Sequence, residues 1–564
     1  MIQTSHWLLS RTAGLLILLA VTLWLLVPEF SGPSYYYFSN QDLPATLLIL
    51  PFIALAAFWW PAVRLPDQLP SPKTVLTTAL LLVGILWAGT QWPMLNYPLT
   101  RDEHMAIFDA QTFATGKLAQ PLAAEWREYF RAISPDFLRE VPENALLSSG
   151  YLPGHSMMRA LFGVIADPAL MNPILWAIGF LALYDIARRL FADTPGAVWI
   201  ALATYLFSAQ VLVNAMTSYA MTAHLALNLV WLALFVRGKW WQHVLVLAIG
   251  FLALGLHQLT YHPLFAGPFI LMLLVERRWP LFTVYALFYS AAGLFWLSYP
   301  SIVLSSFDIE ASSGAASGIA GYLERIWAKA AAINLAQSAL MEFNILRFMV
   351  WMPIFVLPLL VLAWPDVRRF DAIAFPLLLG IALMLLMRTI LLPYQGHGWG
   401  YRSLHGLIGN VAILSGYGYV HWAKHQRERA DGTLALLGGA TAFVVLPFLL
   451  WSAHQFVAPY ARLSAAIERQ PTDYVIIDTE TSLAAIDQVR NRADLSNRPL
   501  VLSSIHLDNA RLVDLCAKGS VTWVDAEDIA AAELPMPAFK PFNAMRLNAK
   551  LLEECAQPFD PSMR

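Results

Sequence analysis

Charge is what this sequence has least of. Asp, Glu, Lys and Arg make up 13% of its 564 residues, about half of the roughly 25% found in soluble globular chains. That scarcity excludes a soluble enzyme of this length. The few charges nearly cancel, with a formal net charge of −2, so no basic surface invites nucleic acid. Cysteine is almost absent: Cys516 and Cys555 are the only two, too few for a fold framed by disulfides. No glycine-rich phosphate fingerprint, no metal-ligand spacing and no internal repeat is present, which argues against a nucleotide site, a dedicated metal centre and a repeat-built transporter. The apolar run Ala13–Val27 has no small-residue cleavage site before Pro28 and Glu29, so it reads as a retained first helix rather than a secretion signal.

What fills the chain is apolar. Hydrophobic residues account for 58%, the mean hydropathy is +0.55, and runs of about 20 apolar residues recur, as membrane-crossing helices require. The expected fold is a polytopic α-helical membrane protein with about 13 transmembrane helices, near 10–27, 43–60, 74–92, 169–190, 197–213, 219–236, 242–257, 264–276, 280–300, 347–363, 372–392, 403–422 and 433–452. Many of the 21 Trp and 20 Tyr fall at segment ends, where an interfacial belt belongs. Loops carrying Arg64 and Lys73, Arg188 and Arg189, Arg237 and Lys239, Arg277 and Arg278, Arg368 and Arg369, and Lys424, Arg427 and Arg429 all fall on one side. The positive-inside rule makes that side cytoplasmic, along with the N-terminus.

The opposite side receives outer segments at about 93–168, 301–346 and 393–402, the first two too long to be simple connections. The first shows amphipathic helical patterns after Thr100 and from Pro121 to Phe137. The second opens with the small-residue stretch SSGAASGIAG and continues into a helix expected over Tyr322–Ala339. Residues 1–452 thus form a membrane domain. Residues 453–564 turn soluble and read strand, helix, strand, helix, strand, a small α/β domain on the outer side. Both cysteines lie in it, where an oxidising compartment permits a disulfide, although sequence does not show that they meet.

The candidate chemistry clusters on that outer side. In Pro98–Pro121, Arg101, Asp102, Glu103 and His104 sit side by side. Thr100 followed by Glu103 three residues on is a capping box, which puts Asp102 in a first helical turn whose dipole favours an ionised carboxylate. Asp102 is either a proton acceptor at the membrane edge or a dipole-stabilising acid, Glu103 has the capping task, and His104 reads as a group facing water. In SSGYLPGHSMMRALFG, His155 and Arg159 fall four apart on one helical face and together suit an anion, or else are a turn residue and a snorkelling arginine. His257 and His262 in HQLTYHP are phosphate ligands or interfacial anchors. PYQGHGWGYRSLHG supplies His397, Arg402 and His405 on a glycine-rich loop. Arg388 lies about one turn inside the preceding helix, and an intramembrane arginine marks an anion site by default. Asp102, Glu103, His104 and His155 are metal-ligand types without metal-ligand spacing, so a divalent cation stays open and no cofactor is required.

In these motifs the chain resembles the polytopic glycosyltransferases of the C-type fold, the GT-C class that uses polyprenyl-phosphate sugars and includes the protein mannosyltransferase and lipid A aminoarabinose transferase group. The resemblance covers roughly residues 74–420 and rests on four features in order: the outer pair Asp102 and Glu103, the YLPGH turn before a helix, the helix end DIARRLF at Asp185–Phe191, and GWGYR at Gly398–Arg402. It implies an inverting transfer of a sugar from a polyprenyl-phosphate donor to a hydroxyl of a lipid, glycan or protein acceptor on the outer face of a bacterial inner membrane. Asp102 would be the general base, with Glu103 orienting its neighbours or helping to bind the acceptor. Arg402, Arg388, Arg159, His155, His257 and His262 would surround the donor phosphate, and His104, Tyr151, Tyr401 and His397 would touch sugar or acceptor. The chain departs from better-known members at Leu152 and Met105, where several or some carry a basic residue, so that His155 or Arg159 is expected to compensate. A transporter or flippase of a lipid-linked or small polar substrate is the alternative, and a non-catalytic assembly protein a third reading.

Overall fold

The computed structural model describes residues 2–26, 32–133, 137–309, 324, 327–332, 335–393, 395–480, 483–535 and 547–563. Helices occupy the positions that the apolar runs require, because a backbone in lipid must satisfy its own hydrogen bonds. Seven of them, among the described residues, are long and apolar enough to cross a membrane, or up to nine if each of two bent pairs is one span. The expected 13 are not confirmed as separate spans: Ile408–Glu468 takes in the last two expected runs in one helical stretch, and three further features account for the rest. Met221–Arg237, Trp240–Leu254 and Tyr261–Val275 are apolar but only 15 to 17 residues long. The run expected over 197–213 is bent by 53° between Leu206 and Ala209. The run expected over 347–363 is broken after Trp351, and the chain turns by 102° before continuing from Val356.

The span Ile408–Glu468 contains 61 residues, but it is not straight. Gln426 leaves helical geometry (φ −150°, ψ 55°), and the Tyr419 hydroxyl donates to Asp431 Oδ1 at 2.7 Å. Twelve residues of straight helix would hold those two Cα atoms about 18 Å apart, so the chain doubles back at Gln426. The returning helix runs on to Glu468. Trp176, Trp231, Trp351 and Trp399 are fully buried in the bundle, while Leu80, Leu81, Leu287 and Phe443 are exposed on an apolar surface of the kind lipid covers.

Outside the bundle, β1 (Gln120–Pro121) pairs antiparallel with β2 (Leu146–Leu147). The helix expected over Pro121–Phe137 is shorter than its pattern suggested: a 3₁₀ turn at Ala124–Tyr129 leads into four α-helical residues, Phe130–Ile133. The SSGAASGIAG stretch and part of the helix expected over Tyr322–Ala339 lie outside the described residues; residues 327–331 are helical, and a helix is described from Leu335 to Trp351. The C-terminal segment builds a parallel sheet from β3 (Tyr474–Ile477), β4 (Leu500–Ser503), β5 (Val521–Val524) and β6 (Ala556–Pro558), in the order β4-β3-β5-β6. Cys516 and Cys555 are joined in a disulfide with Cα atoms 5.9 Å apart.

Candidate active site

The Arg101–Ala114 helix begins as its sequence dictates. Thr100 Oγ1 accepts from the Glu103 amide and Glu103 Oε2 accepts from the Thr100 amide, both at 3.4 Å, closing the capping box. Glu103 is thereby turned inward, 1% exposed, and its second oxygen accepts from the Ser218 amide at 3.3 Å. Burial pushes the Glu103 carboxyl up to about 7. Asp102, one residue earlier, points the other way, into a cavity of about 410 Å³. Its Oδ2 is paired with the Arg402 guanidinium and its Oδ1 accepts from the Tyr151 hydroxyl. Burial raises the Asp102 pKa, but the Arg402 charge and the two hydrogen bonds outweigh it and hold the carboxyl below its ordinary value. Tyr151 lies between the rings of Phe137 and His257, at centroid distances of 5.7 and 4.0 Å. Burial, reinforced by the Asp102 carboxylate, holds its hydroxyl proton far above the ordinary range.

Arg402 arrives on a loop that only glycine can trace. Gly398 and Gly400 have φ of 148° and 63°, and a Cβ on Gly398 would meet the Arg402 side chain at 2.4 Å. The loop is held from behind by Arg347, whose guanidinium donates to the carbonyls of Gly398 (2.7 Å) and Gly400 (3.0 Å), to Gln41 Oε1 (3.1 Å) and to both oxygens of Asp42 (3.3 and 3.4 Å). Its flat face covers the Tyr37 ring at 3.8 Å. Such a fork satisfies five acceptors in one fixed geometry, which an ammonium cannot do. Arg402 itself donates from Nη2 to the Gln395 carbonyl (2.6 Å) and lies over the Tyr219 ring at 4.9 Å. The Tyr219 hydroxyl meets Thr100 Oγ1 at 2.8 Å and donates to the His397 carbonyl, so the helix cap and the loop share one anchor.

Arg388 forms another wall of the same cavity. It is 7% exposed, donates to Gln258 Oε1 at 3.2 Å and rests over the Tyr261 ring at 4.7 Å. Among the described residues no carboxylate lies within ion-pair distance of it. A buried cation balanced only by an amide and a ring is an anion site in waiting. His257 is beside it; burial first, then Arg402 and Arg388, push its pKa down to about 4 against the pull of Asp102, so the imidazole is neutral near pH 7.

The cavity is closed by a residue from the C-terminal segment. Asp487 Oδ1 accepts from Arg101 Nε at 2.9 Å, and its Oδ2 lies 3.7 Å from His397 Nε2. The surrounding chain is tied to the outer helix: Arg490 donates to the Leu99 carbonyl (3.0 Å) and covers the Tyr97 ring (4.2 Å), Gln488 donates to the Tyr97 hydroxyl (3.2 Å), and Ala493 N–H donates to Gln111 (3.2 Å).

The cavity thus gathers Asp102, Tyr151, His257, Arg388, His397 and Arg402. The other singled-out residues stand elsewhere. His262 is fully buried in the bundle between Asn228 and Tyr289, both at 2.8 Å. Tyr401 is 1% exposed, its amide bonded to Gln210. His155 is 2% exposed, with Nε2 at 3.0 Å from the Ser218 carbonyl. Arg159 donates to the Pro168 carbonyl and borders a separate small cavity behind the helix, together with Glu103. His104 borders a third cavity, and burial, then Arg490 and Arg101, push it down to about 3. Neither His155 nor Arg159 lines the cavity that holds Asp102 and Arg402. No group of three or more His, Cys, Asp or Glu fit to hold a metal occurs among the described residues. Asp487, Gln258, Tyr261 and Arg347 were not singled out from sequence. Arg347 and Asp42 carried a signal, each being a charge at the start of an apolar run; Asp487 carried none.

No protein-family model and no curated protein sequence matches the chain. Among solved structures it is similar to ArnT from Cupriavidus metallidurans bound to undecaprenyl phosphate, at 11% identity, over 83% of this chain and 89% of that one, with a TM-score of 0.49. It is similar to the same protein in the apo state at 11% identity, over 75% and 85% of the two chains, with a TM-score of 0.46. The likeness to ArnT is long in extent and distant in degree.

Proposed function

We propose that this chain is a membrane glycosyltransferase that moves a sugar from a polyprenyl-phosphate donor to an acceptor hydroxyl on the outer face of the membrane, with the donor entering from the bilayer. The observation that carries the reading is the pairing, in one cavity, of a carboxylate held ionised with two arginines, one of them without a carboxylate partner. A phosphate leaving group needs cations placed where its charge develops, and Arg388 has that charge to give. The resemblance of the outer Asp-Glu pair and the GWGYR loop to the C-type glycosyltransferases points the same way, and the basic loops of the opposite side favour an outer active face.

In this mechanism the donor phosphate binds Arg388 and draws Arg402 toward it. Loss of the Arg402 contact frees Asp102 Oδ2 and raises its basicity, so donor binding and base activation are coupled. The acceptor hydroxyl then gives its proton to Asp102 as its oxygen attacks the anomeric carbon. The carbon–oxygen bond to phosphate breaks, its electron pair leaves with polyprenyl phosphate, and configuration inverts. Tyr151 keeps its proton and holds Asp102 Oδ1 in line. Neutral His257 supports the Tyr151 ring and does not compete for the proton.

A transporter shares broken helices with this chain. The breaks at Phe207–Ser208 and Met352–Phe355, however, do not border the polar cavity, so the bends give that reading no substrate path. The deciding experiment reconstitutes the full chain with a panel of polyprenyl-phosphate sugars and an outer-surface glycolipid extract, and scores release of polyprenyl phosphate. Release by wild type and its loss in folded Asp102→Asn is the expected result. Passage of the lipid-linked sugar across the bilayer without release would overturn the reading in favour of transport.

A further inference from the structure

The cavity has two carboxylates, and the reaction proposed above uses one. The second, Asp487, belongs to a stretch whose sequence reads as an ordinary helix of the C-terminal domain. It nonetheless borders the same space as Asp102, Arg388 and Arg402. Its two oxygens are unequal. Oδ1 is committed to Arg101 at 2.9 Å. Oδ2 has only His397 Nε2 near it, at 3.7 Å, beyond hydrogen-bond reach, and no other hydrogen-bond donor among the described residues. The carboxylate is 15% exposed, and that exposure is to the cavity.

Its position is fixed from several directions. Arg490 grips the Leu99 carbonyl and covers Tyr97, Gln488 holds the Tyr97 hydroxyl, and Asn491 donates to the Ile133 carbonyl at 2.7 Å. These ties come from residues that follow Asp487 along the chain; those of Gln488 and Arg490 lead to the base of the Asp102 helix, and that of Asn491 to the end of the Phe130–Ile133 helix. A carboxylate brought to a cavity by so many contacts, with one oxygen left unmatched, is built to accept a hydrogen bond from something that enters.

We infer that Asp487 is a substrate-contacting, specificity-determining residue: its free oxygen accepts a hydrogen bond from a hydroxyl or amino group of the sugar-bearing substrate, while Arg101 holds the other oxygen. The inference rests on the donor reading of the cavity and adds to it that the C-terminal segment selects the substrate. Arg388 and Arg402 recognise phosphate, which every polyprenyl-phosphate donor has. Asp487 recognises what differs between them, or what differs between acceptors.

The test compares the full chain in nanodiscs with Asp487→Asn and Asp487→Glu. Binding is measured for polyprenyl phosphate alone and for polyprenyl-phosphate sugars, including deoxy analogues, and KM is measured separately for donor and acceptor. Asp487→Asn, whose amide oxygen can still accept from Arg101, should fold, with some loss of thermal stability, and bind bare polyprenyl phosphate as wild type does, and should lose about tenfold to a hundredfold in kcat/KM for the hydroxyl-bearing substrate. Removing the recognised hydroxyl should cost wild type that same factor and cost Asp487→Asn little, and the KM that moves identifies donor or acceptor as its source. Asp487→Glu should recover part of the loss. Equal turnover in wild type and Asp487→Asn, or deoxy and Asn effects that multiply independently, would overturn the inference. So would a parallel fall in bare polyprenyl-phosphate binding, which would mark Asp487 as merely structural. If wild type releases no polyprenyl phosphate but binds the sugar donor more tightly than the bare lipid, and Asp487→Asn erases that preference, the transferase reading fails and this inference stands.

Discussion

Two carboxylate–arginine pairs lie along the same glycine loop, one on each side of it. On the cavity side Asp102 meets Arg402, with side chains 14% and 12% exposed. On the bundle side Asp42 meets Arg347, with side chains 3% and 4% exposed. The bundle pair is saturated: Arg347 spends its donors on Asp42, Gln41 and two loop carbonyls, and Trp351 Nε1 adds a hydrogen bond to Asp42 at 3.1 Å. The cavity pair is not, because Arg402 Nε has no acceptor among the described residues. The difference separates a pair that holds a shape from a pair that can exchange partners. Burying two charges costs most of what their attraction returns, so a saturated pair is explained by what it positions and an unsaturated one by what it awaits.

Replacing each pair with apolar residues sharpens that contrast, and this is where the largest effects are expected. Arg347→Gln alone leaves Asp42 buried without its cation and should destabilise the chain by about 3–5 kcal/mol. The double change Asp42→Leu with Arg347→Met should regain most of that in thermal unfolding. Transfer should stay at least about tenfold down, since the Gly398 carbonyl then loses its donor, the Gly400 carbonyl keeps only Gln395 Nε2 at 2.8 Å, and Arg402 loses its aim. Asp102→Leu with Arg402→Met should fold as well but lose transfer by about 10³-fold or more. Full recovery of transfer in the bundle double variant would show that the loop needs no clamp. A smaller effect is expected at Arg388, which has no carboxylate to abandon: Arg388→Gln should raise the donor KM by about tenfold, with kcat changed far less.

The parts of this arrangement legible from sequence are those that a few consecutive residues encode. The capping box needs only Thr100 to Glu103, and it alone sends Asp102 and Glu103 in opposite directions. Arg402 follows from three glycines and an arginine within one loop. The membrane class follows from apolar runs, but the number of spans does not, because the bends at Phe207–Ser208 and Met352–Phe355 and the short helices after Met221 depend on packing. Which histidine of HQLTYHP faces the cavity was also not legible. His257 stays in the loop, whereas His262 enters the first turn of the Tyr261–Val275 helix and is rotated into the bundle. Asp487 is set by docking against Arg101, 386 residues away in the chain, which leaves no local trace.

Titration provides a milder way to test the cavity pair. Because Asp102 is held below its ordinary pKa in the donor-free enzyme, the acid limb of kcat/KM should lie lower than a free carboxyl would place it, and that of kcat, after Arg402 has left, should lie higher. His257, pushed down to about 4, should add no limb between pH 6 and 7. His257→Gln should therefore leave the shape of the pH–rate profile between about pH 5.5 and 8 unchanged even if the rate falls. A limb near 6.5 that disappears in this variant would show a charged imidazole in the working site.

The smallest effect on transfer belongs to Glu103, and the reason lies in its sign. Its folded pKa is raised from 4.5 to about 7, so the folded state favours its protonated form. The stability this gives is complete below the ordinary carboxyl pKa and is lost as pH rises through about 7. Glu103→Gln keeps the capping geometry, since glutamine serves that position as well, and carries no charge to bury. Wild type and variant should unfold alike near pH 4, and the variant should be the more stable at pH 8 by about 3 kcal/mol. Transfer should change by less than Asp102→Asn by orders of magnitude. If instead Glu103→Gln abolishes transfer while gaining stability, the inward acid is part of the chemistry, and the division of labour between two neighbouring carboxylates in one helical turn must be redrawn.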